Sequence, residues 1–428
     1  MEPKVVLIVL FSALLCLVNG ATLHVPGDYP TIQAALMSAL PDDTVLVAPG
    51  IYFEHITWPS TNGIKLLSEY GPDTTIIDAA GALRCITMNV NMDSSTIISG
   101  FTIRNGNMAD GGGISCVGAS PCITDNIISY NSYGSGIWID SGDPLISNNI
   151  ITHNTGADGG GIFCRMFSNP RILNNLIEHN SATSQYGSGG GICTIDAQPI
   201  IEGNTIHDNS AYSGGGIYTF KTYAIITYNT ITNNTAEYGD GVRLYQSDAI
   251  VNYNDIFLNG YGVSSGFTPE MINVKNNWWG DASGPYHASN PGGLGDTVSD
   301  YLDFSPWLTK PHGIEENLAT AYTNVYLQVN PNPFNQHTEI RFMIHDSRSA
   351  GEELRNAKCE MRKQRLEIYD VMGRLVRSLC PPTTYCVLPT VICWDGTDQC
   401  NRQCSPGIYF LRLNAGDDYL TRKLVLID

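Results

Sequence analysis

Cations are scarce in this chain. Its 428 residues hold 23 Lys and Arg against 41 Asp and Glu, a formal net charge of −18. The deficit is concentrated: residues 21–310 hold 9 Lys and Arg against 26 Asp and Glu, whereas residues 311–428 hold 13 against 14. So acidic a region repels polyanions. This argues against a nucleic-acid backbone as partner, and against direct binding of an acidic polymer unless cations bridge the two. Long apolar runs are missing beyond the N-terminus, so the mature chain is expected to contain no transmembrane segment. A phosphate-binding loop, a Ser or Cys nucleophile motif and a zinc-protease helix are also absent.

The one apolar run, residues 5–18, follows Lys4 and ends at Val18-Asn19-Gly20. That pattern reads as a signal peptide over residues 1–20, cut near Ala21, and implies secretion to the cell surface or the medium. Export makes disulfides available. Five cysteines lie in the first region (Cys85, Cys116, Cys122, Cys164 and Cys193). Six crowd the tail: Cys359, Cys380, Cys386, Cys393, Cys400 and Cys404. The tail set is expected to form two or three disulfides; Cys400-x-x-x-Cys404 alone is a weak metal signature.

What the chain does contain is a repeat. Glycine clusters ending in an aliphatic residue recur at Ile114, Ile137, Ile162, Ile192, Ile217 and Val242, spaced 23, 25, 30, 25 and 25 residues apart. A fixed period of this size marks stacked repeats. Other columns keep step: Asn126, Asn149, Asn175, Asn204, Asn229 and Asn254, each followed two residues later by Ile, and three further on by a second Asn (Asn131 to Asn259). Another apolar column runs Ile123, Ile146, Ile172, Ile201, Ile226 and Val251. Spacing of two within short runs is strand periodicity. Each repeat therefore reads as two or three short strands. Equivalent strands pair in parallel along a stack, with inward Ile columns and Asn ladders at the turns. The expected fold class is all-β: a right-handed parallel β-helix over residues 21–310, by the handedness of parallel strand connections. A short helix over residues 30–40, with Ile32, Leu36, Ala39 and Leu40 inward, is expected to cap the first coil. Trp278, Trp279, Phe304 and Trp307 are expected to close the last.

The entry and exit segments carry a resemblance. Val25-Pro26-Gly27-Asp28-Tyr29-Pro30-Thr31-Ile32-Gln33-Ala34-Ala35, with Asp43-Thr44-Val45-Leu46-Val47-Ala48-Pro49-Gly50-Ile51-Tyr52, is similar to the entry of secreted right-handed β-helix proteins of the pectin-lyase fold. Trp278-Trp279-Gly280-Asp281-Ala282-Ser283-Gly284-Pro285 resembles their exit. The resemblance frames residues 22–308. It implies a fold shared by polysaccharide lyases, hydrolases, esterases, epimerases and proteins without known catalysis.

After a linker at 311–323, strand-like runs resume at 325–329, 338–344, 365–369, 374–379, 408–413 and 422–427. They suggest a small Ig-like β-sandwich over residues 324–428. Asn330-Pro331-Asn332-Pro333-Phe334-Asn335, the run from Leu366 to Val376, Trp394-Asp395-Gly396-Thr397-Asp398 and Pro406-Gly407-Ile408-Tyr409-Phe410 resemble the C-terminal sorting domain of type IX secretion cargo. The resemblance implies contact with bacterial secretion machinery. The six cysteines and the charged insert at 346–365 depart from the usual pattern.

Chemistry is expected on residues alternating with the inward Ile columns. Trp138, Phe163, Tyr218, Phe220 and Tyr245 form an outward aromatic stripe suited to stacking on sugar rings, which makes polysaccharide the expected partner. The alternative is packing of that face beneath a loop or the tail. Asp140, Arg165 and Asp196 fall near one another in successive coils and are the candidate catalytic residues of a polysaccharide lyase or glycoside hydrolase. A salt-bridge ladder is the structural alternative. A second polar cluster comprises His153, Glu178, His179, His207 and Asp208. Calcium is a candidate ion at Asp110 and Asp158 or at the glycine-rich stretch 292–300; no firm metal site or other cofactor is implied. A non-catalytic surface or adhesin-like protein, with the solenoid as a rigid spacer, is the rival reading.

Overall fold

The computed structural model describes residues 20–311 except 90, 91, 268 and 269. In the C-terminal part it describes residues 325–330, 334–335, 337–344, 365–370, 375–379, 390–398, 402–415 and 418–427. The expected signal peptide up to residue 19, nearly all of the expected linker, and Cys359, Cys380, Cys386 and Cys400 lie outside the described residues. The chain divides into two units, Met1–Gly313 and Ile314–Asp428.

The first unit is a parallel β-helix. Its described strands form three long sheets of 10, 9 and 11 strands, all paired in parallel between successive coils. One coil runs Ile137–Asp140 on the third sheet, Leu145–Ser147 on the first and Ile150–Thr152 on the second, then returns to the third at Ile162–Arg165. The columns read from the sequence stack in register: Ile123 on Ile146 on Ile172, and Ile128 on Ile151 on Ile177. Each of these is fully buried. A coil such as 137–151 buries four Ile side chains (137, 139, 146, 151), worth about 1.5–3 kcal/mol each against exposure. A fourth, short sheet joins Thr155–Gly156, Ser181–Ala182, Ser210–Ser213 and Thr235–Tyr238. It adds a strand to the two or three expected per coil.

Both Asn ladders form. In the first, each Asn Oδ1 accepts the backbone N–H and Nδ2 of the Asn one coil earlier, as at Asn175→Asn204 (2.9 and 3.0 Å). That ladder ends on buried Asn277. The second ends on a carboxylate: Asp296 Oδ2 accepts both Asn259 N–H and Nδ2 at 3.0 Å.

The N-terminal cap helix spans Ile32–Ser38, with Thr31 as N-cap. Glu54 accepts the N–H groups of Ile32 and Gln33 at 2.9 Å, satisfying donors a helix start leaves open. Ile32, Ala35, Leu36 and Ala39 are buried, but Leu40 is exposed, contrary to expectation. The chain turns extended at Ala39, which ends the helical register before Leu40. At the far end Trp279 and Phe304 are buried, and Trp307 packs against the same core.

The second unit contains two antiparallel sheets of three and four described strands. They share a core that includes Phe334, Ile340, Leu366, Trp394, Leu411 and Leu424. The six expected strands are present. A seventh, Thr390–Trp394, pairs with Thr338–Ile344. It leads into the Trp394–Asp398 motif: the Asp395-Gly396 turn begins where the strand stops, with Gly396 at φ 74°.

Candidate functional site

The first glycine of most clusters takes a left-handed turn: φ is 57° at Gly159 and 67° at both Gly189 and Gly214. A Cβ on Gly159 would sit 2.7 Å from Phe163 Cβ, and one on Gly189 2.6 Å from Cys193 Cβ. The turn backbone therefore lies against the first outward column of the third sheet, and only glycine permits that approach. This corrects the expectation that the whole stripe faces solvent. Phe163 is 4% exposed and Cys193 fully buried, whereas Trp138 and Tyr218 remain partly open.

A left-handed turn, at Gly111 and Gly159 and at Tyr133 itself before Gly134, carries the residue preceding each cluster to the edge of the column. Asp110, Tyr133 and Asp158 thereby form one wall of a cleft of about 410 Å³; Trp138, Phe163, Arg165, Met166, Ile195 and Asp196 also line it. Trp138 stacks on Phe163 with centroids 4.4 Å apart and planes at 18°. Arg165 lies 4.7 Å over the Trp138 ring and donates to Asp140 Oδ2 from both Nε and Nη2 at 2.8 Å. A pair this exposed contributes about 0–1 kcal/mol; its main effect is to hold the guanidinium over the indole. Arg84 braces the Asp110 end of the first wall through the carbonyls of Ala109, Asp110 and Gly111.

The cleft carboxylates differ. Asp140 is held by Arg165 and by Ser141 Oγ. Asp196 follows the strand at φ 50° and, among the described residues, its carboxylate has no hydrogen-bond or ion-pair partner. It is not in the Asp140–Arg165 column, whose next member is Ile195. Burial pushes the Asp158 carboxyl above its usual range, opposed by the Ser188 N–H that it accepts at 2.8 Å.

Tyr218, Phe220 and Tyr245 lie further along the same sheet. Phe220 and Tyr245 are 5.8 Å apart, with Lys221 over Phe220 at 5.0 Å. The sequence reading missed Tyr133 and saw Asp110 and Asp158 only as candidate calcium ligands. The signal is their shared place before a glycine, but its meaning depends on a left-handed turn that falls on Gly111 and Gly159 and on Tyr133 itself. Among the described residues no group of three or more His, Cys, Asp or Glu is arranged to hold a metal ion. In the stretch 292–300, Asp296 ends an Asn ladder.

The second polar cluster is a column on another edge. Tyr130 stacks on His153 (5.0 Å), followed by His179 (5.0 Å) and His207 (6.1 Å). His207 bridges Glu178 through Nε2 (3.2 Å) and Asp208 through Nδ1 (2.6 Å). The Glu178 hydrogen bond raises His207, and the same bond lowers Glu178.

Fold and site together define a β-solenoid with an acid-walled aromatic cleft on one sheet. A family model described as a right handed beta helix region matches residues 55–190 and 182–284, and the chain belongs to that family. No curated protein matches the chain. Among solved structures it is similar to the enzymatically active domain of bacteriophage CBA120 tailspike protein 2: 10% identity, 95% of this chain, 76% of that one, TM-score 0.33. It is also similar to full-length tailspike protein 2 from Escherichia coli O157:H7 bacteriophage CAB120: 12% identity, 95% and 68% covered, TM-score 0.29. Likeness at that level bears on neither substrate nor mechanism.

Proposed function

We propose that the solenoid is an exported polysaccharide-binding protein that holds a glycan free of acidic groups in the Trp138 cleft and hydrolyses it. The observation that carries this reading is the cleft's composition. A stacked indole offers a flat apolar platform, and Asp110, Asp158 and Asp196 surround it. The one cation lining the cleft, Arg165, is committed to Asp140. A uronate would meet uncompensated carboxylates, which disfavours lyase chemistry on acidic glycans. Hydrolysis needs a protonated and an ionised carboxyl on one substrate. Asp158, at the cleft wall on the Ser188 N–H, is the proposed acid; Asp196, whose carboxylate has no partner among the described residues, is the proposed base; Asp140 with Arg165 orients the platform.

The test is a polysaccharide screen with the purified chain, reading both binding and new reducing or unsaturated ends. New reducing ends that vanish in Asp158→Asn support hydrolysis. Unsaturated ends would replace it with lyase chemistry, and no binding at all would favour the rigid-spacer reading. For export, residues 1–20 act as signal peptide and residues 324–428 as the type IX sorting domain. The seven described strands of the second unit, which begin and end close to the motif runs, support this. Deleting residues 325–428 is expected to strand the protein inside the envelope; normal export without them would remove the sorting role.

A further inference from the structure

The cleft wall does not stop at Asp158. Ser188 N–H bonds to Asp158, Ser188 bridges to Ser213, and Ser213 pairs with Tyr238, so the wall continues coil by coil along the fourth sheet. On that continuation stand Tyr186, Tyr212 and Tyr238, with ring centroids 5.3 and 5.4 Å apart. Tyr186 and Tyr238 are 65% and 48% exposed. They make a rail rather than a core. Beside it, Phe220 and Tyr245 on the third sheet and Phe267 just past its next strand follow one another at 5.8 and 5.3 Å. Arg243 joins the two lines, lying 6.0 Å over Tyr238 and 5.8 Å over Tyr245.

Resting on the cleft reading above, we infer that the tyrosine rail forms distal subsites. A linear neutral or N-acetylated glycan lies lengthwise along the solenoid, from the Trp138 cleft to Tyr238. The path crosses five coils, Tyr133 to Tyr238, spaced about 4.8 Å apart and so roughly 20 Å long. One coil step is close to the length of one pyranose unit in an extended glycan, so each coil meets about one sugar. Tyrosines suit such subsites: each offers an apolar face with a hydroxyl at its tip, and only two side-chain torsions to fix. The acidic cleft end sets the chemical class by rejecting uronates. The rail sets the length, making the protein a reader of internal segments rather than of chain ends.

The experiment is an array of linear oligosaccharides, disaccharide to hexasaccharide, of glucan, mannan, xylan, N-acetylglucosamine and galacturonate. It is probed with the full chain, with Trp138→Ala, and with Tyr212→Ala/Tyr238→Ala. The wild type should hold a neutral or N-acetylated hexasaccharide about tenfold more tightly than its disaccharide, and the double tyrosine variant should lose that gain. Disaccharide binding should stay within about twofold in the tyrosine variant and fall in Trp138→Ala. Tyr212→Phe/Tyr238→Phe, which keeps the rings, should retain most of the length gain and guards against misfolding as the cause. If the gain survives the double alanine change, or affinity does not rise with length, the rail is not a subsite and the cleft reading stands alone. Galacturonate preference would overturn the substrate class, and no binding to any glycan would remove the cleft reading with the rail.

Discussion

Asn204→Asp changes one side-chain group inside the first ladder and should be severe. Asn204 Oδ1 accepts Asn175 N–H and Nδ2, while its own Nδ2 donates to Ile172 O (2.8 Å), Glu202 O (3.2 Å) and Asn229 Oδ1 (3.0 Å). Truncation to Ala leaves Asn175 N–H without its acceptor and Ile172 O without this donor. At about 1–3 kcal/mol per orphaned buried group, Asn204→Ala costs about 2–6 kcal/mol. Aspartate restores the acceptor but aims an oxygen at three oxygens in a buried site. Its folded pKa must lie above its unfolded value. The Asp variant is therefore least penalised below the unfolded carboxyl pKa and loses stability as pH rises through the folded one. At pH 7 it should cost at least as much as Ala. Asp296 tolerates its carboxylate because it ends the second ladder: it only accepts, from Asn259. Asp296→Asn should accordingly cost less than about 1 kcal/mol. Urea unfolding read by tryptophan fluorescence gives the ranking. Hydrogen exchange at coils 175–229 shows whether the loss is local, as expected for a solenoid. Wild-type stability for Asn204→Asp at pH 7, or a larger cost for Asp296→Asn, would refute the directional ladder.

Gly189→Ala forces a Cβ to 2.6 Å from Cys193 at φ 67° and should lower stability by about 1–3 kcal/mol; calorimetric melting checks this. Alanine at Gly292, where a Cβ meets nothing within 4 Å, is the neutral control. His207, raised from 6.5, stabilises most fully below that value and loses its effect as pH rises through the folded pKa. Glu178, lowered from 4.5, stabilises above 4.5 and loses its effect as pH falls through the folded pKa. The pair should contribute most between pH 4.5 and 6.5. Glu178→Gln should remove that maximum from a pH series of melting temperatures, and an unchanged profile would show the pair inert. Asp158→Asn should abolish release of reducing ends while leaving glycan affinity within about threefold.

Much of the solenoid was legible because its determinants are local and repeated. Ile151 must face inward if Asn149 and Asn154 occupy the flanking turns, and six coils state the same rule. The site was less legible. Strand alternation places Phe163 outward correctly, yet it is buried, as is Cys193 beside it on the next coil. The covering element is backbone, from Gly159 and Gly189, and a Cβ-less turn leaves no side-chain pattern to read. The fourth sheet escaped for a related reason: Thr155–Gly156 and Ser181–Ala182 are too short and polar to show periodicity. Asp196 falls near Asp140 and Arg165 in spacing, but it lies four residues after its inward Ile192, whereas they lie three after Ile137 and Ile162, so Ile195 takes their register. In the tail, alternation locates six strands, whereas Thr390–Trp394 ends in the Trp394–Asp398 motif and is not among them.

The most direct test of the Trp138 cleft is a calorimetric titration of the full chain with the tightest-binding neutral oligosaccharide from the array, repeated with Trp138→Ala. Loss of the sugar-stacking face should weaken binding about tenfold, with the melting profile largely retained. Unchanged affinity in Trp138→Ala would place the glycan elsewhere on the molecule and contradict the cleft as the binding site.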